Sequence, residues 1–294
     1  MSESSLFLQF LFSGLTAGAI YALVALGFCV VENSLRIVNF AQGDFLTLGG
    51  FFMTTFLLSL KIPWPLAALC SILAVGLCGY LLERIALRSA KTHDPLTLIF
   101  ITIGASIFIR GLIKLFWGKN PRIFPPLISG EPIRLLGASL TRESLLILAV
   151  GFFCVTILHL FYRVSRSGKA LRAVAYSPRA AALIGLPVGF LNSVSFFLAG
   201  ALGAIAGLLI VPVTGVSFDT GVILGLKGYA ASVLGGYGSF PGAIAGGLLL
   251  GVMEALVAGF ISSGFRDVFA FALLFCVLAI KPSGLFGTHE EERV

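Results

Sequence analysis

Three charged residues interrupt runs that are otherwise apolar enough to lie in a bilayer: Asp44, Lys227 and Glu254. A fixed charge at the centre of a membrane helix costs about 2.5–3.5 kcal/mol on insertion scales, so each needs a reason to be there. One reading is structural: the group is bonded to backbone, Ser or Thr, or it snorkels to an interface. The other is that these groups line a water-filled route together with Asn39, Gln42 and Thr47. A zwitterion must keep its ammonium and carboxylate solvated in passage, yet a tight pair of fixed charges would trap it. A weakly polar, mostly apolar lining suits passage better.

The second chemical feature is a basic stretch, Arg163 to Pro187, with five cations (Arg163, Arg166, Lys169, Arg172 and Arg179) and no acid. Its punctuation predicts two short helices. Gly168 to Tyr176 places Leu171, Val174 and Ala175 on one face and Lys169, Arg172 and Tyr176 on another. Ser177 suits a helix cap, Pro178 the first helical position, and Gly185 with Pro187 a stop. Such a stretch can be a positive-inside loop touching anionic lipid, or a docking element for a soluble partner. A lipid anchor does not need the cap, Pro and Gly signals, which favours docking.

No catalytic constellation is visible. His93, His159 and His289 are scattered, and there is no G-x-x-x-x-G-K-[ST] loop to cradle phosphates. The cysteines, Cys29, Cys70, Cys78, Cys154 and Cys276, sit in apolar runs without metal-ligand spacing and read as packing residues. No cofactor or metal is expected. With no separate basic domain, the net charge of +7 does not point to nucleic acid.

The elements that must position these residues follow from composition. Of the 294 residues, 58% are hydrophobic and 11% charged, so lipid must solvate most of the surface. Charge-free runs predict spans at roughly 6–31, 43–60, 64–84, 96–117, 143–163, 188–212, 221–235, 240–261 and 265–282. The expected fold is an all-α polytopic helix bundle of eight or nine spans, a single transmembrane domain over residues 1–294. The seventh segment is short and Gly-rich, a candidate half-helix. No cleavable signal peptide is evident, and the tail from Thr288 reads as a solvated end.

Two stretches look irregular, Val31–Phe45 and Val213–Tyr229. Each joins a carboxylate and a Gly to a following apolar segment, as counterparts in an internal repeat would. Five G-x-x-x-G pairs (Gly14/Gly18, Gly203/Gly207, Gly221/Gly225, Gly242/Gly246 and Gly247/Gly251) predict close helix packing within the chain, or a subunit interface as well. Cation density places loops 84–95 and 163–187 on the cytoplasmic face and the Pro/Gly-rich loop 118–142 opposite, with the N-terminus outside. Arg110 and Lys114 are expected to snorkel to the outer interface, and Trp64 and Trp117 to act as aromatic anchors.

"SGKALRAVAYSPRAAALIGLPV" resembles the coupling segment of ABC importer permeases. "GAIYALVALGFCVVENSLRIVNFAQGDFLTLGGFF", "GLKGYAASVLGGYGSFPGAIAGGLLLGVMEAL" and "IKPSGLFG" resemble the LivH-type permease subunit of branched-chain amino acid importers, over nearly the whole chain. The resemblance implies a multi-pass subunit of a bacterial or archaeal inner membrane. Its implied partners are a LivM-like sister permease, two cytoplasmic ABC ATPases and an external solute-binding protein. It places ATPase coupling on Gly168, Lys169, Arg172, Tyr176, Pro178, Arg179 and Gly185. It places "NFAQGDF" near the pathway, with Gln42 where relatives often carry His. The alternatives are a related permease for urea or short amides, and a stand-alone transporter coupled to ions through Asp44, Lys227 or Glu254.

Overall fold

The computed structural model describes residues 3–287 apart from 93, 129 and 136. His93, His289 and the tail from Thr288 lie outside the described residues. Almost all regular structure is helical. The long helices are α1 (Glu3–Leu35), α3 (Trp64–Leu81, continued by π-helical turns over Leu82–Leu87), α4 (Pro95–Trp117), α5 (Arg142–Val164), α8 (Val188–Thr214), α10 (Phe240–Phe260) and α11 (Arg266–Ile280). The short ones are α2 (Gln42–Thr54), α6 (Arg166–Tyr176), α7 (Pro178–Leu183) and α9 (Thr220–Gly235). Seven helices among the described residues are long and apolar enough to cross a membrane. The segments expected to span at 43–60 and 221–235 are α2, which runs into π-helical turns at Thr55–Ser59, and the 16-residue α9. α2 is buried on nearly every side, whereas α9 buries one face and leaves Val222, Ile223 and Leu226 exposed.

The two irregular stretches are breaks that follow long helices: α1 leads into α2, and α8 into α9. Packing repeats in the two halves. α1 lies on α10 and α9, while α8 lies on α3 and α2. Helix α1 of the first half thus packs on helices of the second, and α8 of the second on helices of the first.

Glycine sets these contacts. Gly14 and Gly18 of α1 face Gly247, Gly251 and their neighbours on α10, backbone against backbone. Gly203 and Gly207 admit α2, Gly221 and Gly225 admit Gly43, and Gly242 and Gly246 admit the end of α9. All five spaced pairs therefore serve packing within the chain.

The ends of the bundle differ. At one end α1 begins beside a hairpin, β1 (Ile133–Leu135) paired antiparallel with β2 (Ala138–Leu140). Gln9 fastens it: its Nε2 donates to the Ser139 carbonyl (3.0 Å), and its Oε1 accepts from Ser139 N (2.7 Å). The same loop pairs Arg122 with Val216, covering the α8–α9 break. At the other end of α1, Arg36 Nε donates to the Ala175 carbonyl of α6 (3.3 Å). The loop 118–142 and the basic stretch therefore lie at opposite ends of α1, as their charge predicts. Beside the basic stretch, the "IKPSGLFG" segment folds back on α9, Leu285 and Phe286 N–H donating to the Leu234 and Gly235 carbonyls.

Candidate functional site

The break between α1 and α2 is built by its own polar residues. Asn39 is wholly buried and its Oδ1 accepts from Ala41 N (3.1 Å), turning the chain into α2. Phe40 N–H donates to Thr102 Oγ1 on α4 (3.1 Å). Gln42 Nε2 donates to the Ala199 carbonyl of α8 (2.9 Å), filling space left by Gly27. Thr47 is fully buried against the carbonyl of Gly43. Asn39, Gln42 and Thr47 thus hold the break together in this conformation.

Asp44 does something different. It stands in the first turn of α2, 2% exposed, and Arg110 Nε of α4 lies 3.4 Å from its Oδ1. Arg110 also donates to Ser106, from Nε to the carbonyl (3.3 Å) and from Nη2 to Oγ (3.0 Å). The residue expected to snorkel outward instead turns inward, because a carboxylate at membrane depth is the better partner. Lys114 likewise caps the Phe218 ring at 4.1 Å. Trp117 donates its indole N–H to Thr55 Oγ1 (2.7 Å), while Trp64 is 44% exposed and suits an interface anchor.

The Asp44–Arg110 pair forms one side of a 250 Å3 pocket whose other walls include Phe28, Phe40, Leu226 and Tyr229. The aromatic lining continues along the bundle. Tyr229 contacts Phe28 (5.5 Å between centroids), Phe40 (6.4 Å) and Tyr237 (5.8 Å). Tyr237, in the α9–α10 turn, borders a 550 Å3 cavity with Glu32, Asn33 and Arg36 beside the basic stretch. Burial, then the charge of Glu32, pushes its phenol pKa far up, so it stays a neutral hydroxyl.

Lys227 and Glu254, 27 residues apart in sequence, are brought into direct contact. Glu254 Oε2 also accepts from Tyr21 on α1 (2.6 Å), and Arg266 Nε of α11 is 3.0 Å from Oε1. Lys227 reaches Asp267 Oδ1 as well (2.7 Å). Four helices, α1, α9, α10 and α11, meet at this buried carboxylate. Lys227 and Arg266 border a 650 Å3 cavity that extends to Gln9 and Asp219. Sequence reasoning missed Tyr21, Arg266 and Asp267 and gave Arg110 a different role, since no local spacing links any of them to its partner.

The basic stretch forms the predicted elbow. Ser165 Oγ accepts from Gly168 N (2.9 Å) and caps α6; Ser177 Oγ accepts from Ala180 N (3.2 Å) and caps α7, with Pro178 first in that helix. Gly168 sits on the Phe161 carbonyl, where a Cβ has no room. Gly185 (φ +84°) ends α7. Leu171 and Val174 are buried, whereas Lys169, Arg172, Pro178 and Arg179 are exposed. Ala175 is half-buried. Tyr176 and Leu183, each 89% exposed, add apolar surface beside the cations.

These features describe a polytopic helical membrane protein with a charged, aromatic-walled pocket and an amphipathic elbow at one end. A family profile described as branched-chain amino acid transport system / permease component matches residues 10–278. The chain belongs to that family. It is 35% identical over 308 residues to the high-affinity branched-chain amino acid permease protein LivH of Salmonella typhimurium, covering 100% of both chains. It is 34% identical over 307 residues to BraD of Pseudomonas aeruginosa, again covering 100% of both. To a probable LivH of Methanocaldococcus jannaschii the identity is 27%, over 90% of this chain and 88% of the other.

Proposed function

We propose that the chain is the membrane permease subunit of an ATP-driven importer of branched-chain amino acids. A LivM-like sister permease completes the pathway, two cytoplasmic ATPases grip the elbow, and an external binding protein delivers substrate at the hairpin end. The observation that carries this reading is the Asp44–Arg110 pair in an otherwise apolar pocket. Its net charge is zero and its walls are aromatic and aliphatic, which matches an apolar zwitterion. Arg110 keeps 30% of its side chain exposed, and a lipid-facing guanidinium at that depth is costly. The pocket therefore opens toward water or a partner subunit.

The elbow supports the assembly. Exposed Tyr176, Leu183 and Ile184 among Arg172 and Arg179 suit a groove on a soluble partner better than water. Ion-coupled transport gains no support from Glu254, since Lys227 and Arg266 already hold it. Reconstitution with the sister permease, both ATPases and the binding protein, followed by uptake of labelled leucine, isoleucine, valine and urea, tests the reading. ATP-dependent uptake of the three amino acids is expected. Uptake of urea alone, or leucine uptake without ATP, overturns it.

A further inference from the structure

Resting on that reading, we infer that Asp44 and Arg110 form an exchangeable clamp for the substrate zwitterion. The α-ammonium takes the place of Arg110 on Asp44, and the α-carboxylate takes the place of Asp44 on Arg110. The branched side chain lies against Phe40, Leu226 and Tyr229.

Four observations lead there. First, the pair is loose. At 3.4 Å its N–O separation exceeds the ~2.7–2.9 Å of a well-made charge-assisted bond. Second, Asp44 Oδ1 is buried and accepts no hydrogen bond among the described residues, Ser106 being the one hydroxyl beside the carboxylate, so this oxygen has capacity that an ammonium satisfies. Third, Ser106 engages Arg110 through Nε and Nη2, which fixes the guanidinium while other donors of its five remain for a carboxylate. Fourth, the pocket volume of 250 Å3 falls below the ~300–1,000 Å3 typical of sites for drug-sized ligands, and so suits one small amino acid.

The contrast with Glu254 sharpens the inference. That carboxylate is occupied by Tyr21, Lys227 and Arg266 and offers no vacancy of this kind. The exchange also answers how a charged site avoids trapping its cargo. Binding breaks one ion pair to make two, and release remakes the first. Only the difference holds the substrate.

The test uses the assembled transporter in nanodiscs, with ligand-observed saturation-transfer NMR on three probes: leucine, 4-methylpentanoate and 3-methylbutylamine. Wild type should engage leucine and neither single-charge analogue. Asp44→Asn frees Arg110 and should engage 4-methylpentanoate; Arg110→Gln frees Asp44 and should engage 3-methylbutylamine. Each single variant should also lose leucine affinity by about tenfold or more. The double variant Asp44→Asn/Arg110→Gln leaves no unpaired charge, which protects folding, and should engage none of the three. Leucine engagement at wild-type strength in the double variant, or single variants without the switch in analogue preference, overturns the clamp. Failure of wild-type transporter to import leucine overturns the functional reading instead.

Discussion

Gly43 of α2 and Gly221 of α9 lie against each other so closely that a Cβ on either would drive into the other's carbonyl oxygen. The contact is reciprocal and joins the first turns of the two short helices, at the end of α2 that carries Asp44. Neither helix can move without the other at this point. Gly43→Ala and Gly221→Ala should each destabilise the purified protein by about 1–3 kcal/mol, the usual cost of overpacking. Thermal unfolding in detergent reads the loss directly. Alanine at Gly104, which has open space around it, is the control and should be near neutral.

Glu254 gathers Tyr21, Lys227 and Arg266, so removing its charge leaves only the largely exposed Asp267 to face two buried or half-buried cations. Glu254→Ala should cost about 3–5 kcal/mol. Replacing Lys227 by Met in the same background should recover part of that loss. A double-mutant cycle on unfolding free energies measures the coupling, and strict additivity would contradict direct pairing.

Arg172 and Arg179 are exposed on the elbow. Charge reversal at both should leave folding intact but separate ATP hydrolysis from uptake in the reconstituted importer. A reversed variant with normal uptake would remove the elbow from the coupling assignment.

The opposed ends of α1 give a topology test. In a background lacking the native cysteines, Tyr176→Cys should react with a membrane-impermeant maleimide only from the cytoplasmic side. Glu131→Cys, two residues before the hairpin, should react only from outside. The reverse pattern would place the elbow out of reach of any cytoplasmic ATPase.

Much of this architecture is legible in the sequence because lipid allows few solutions. A long apolar run favours a spanning helix, and the expected 96–117 differs from α4 by one residue. The elbow is equally legible, since Ser177, Pro178 and Gly185 act locally. What stays hidden depends on distant partners. The hairpin at Ile133–Leu140 is held by Gln9, and the inward turn of Arg110 depends on Asp44, which no helical periodicity connects to α4. Asn39 and Gln42 each use one polar atom to hold the chain break, through Ala41 N and the Ala199 carbonyl, and leave Asn39 Nδ2 and Gln42 Oε1 buried without a partner among the described residues, which polarity alone does not reveal.

The membrane-depth charges described above come in balanced sets: Asp44 with Arg110, and Glu254 and Asp267 with Lys227 and Arg266. Moving one elementary charge through the field costs about 2.3 kcal/mol per 100 mV. A helix that shifts with its counter-ions, carrying a zwitterion, moves none. Import should therefore be electrically silent, its turnover unchanged by a potassium diffusion potential of either sign.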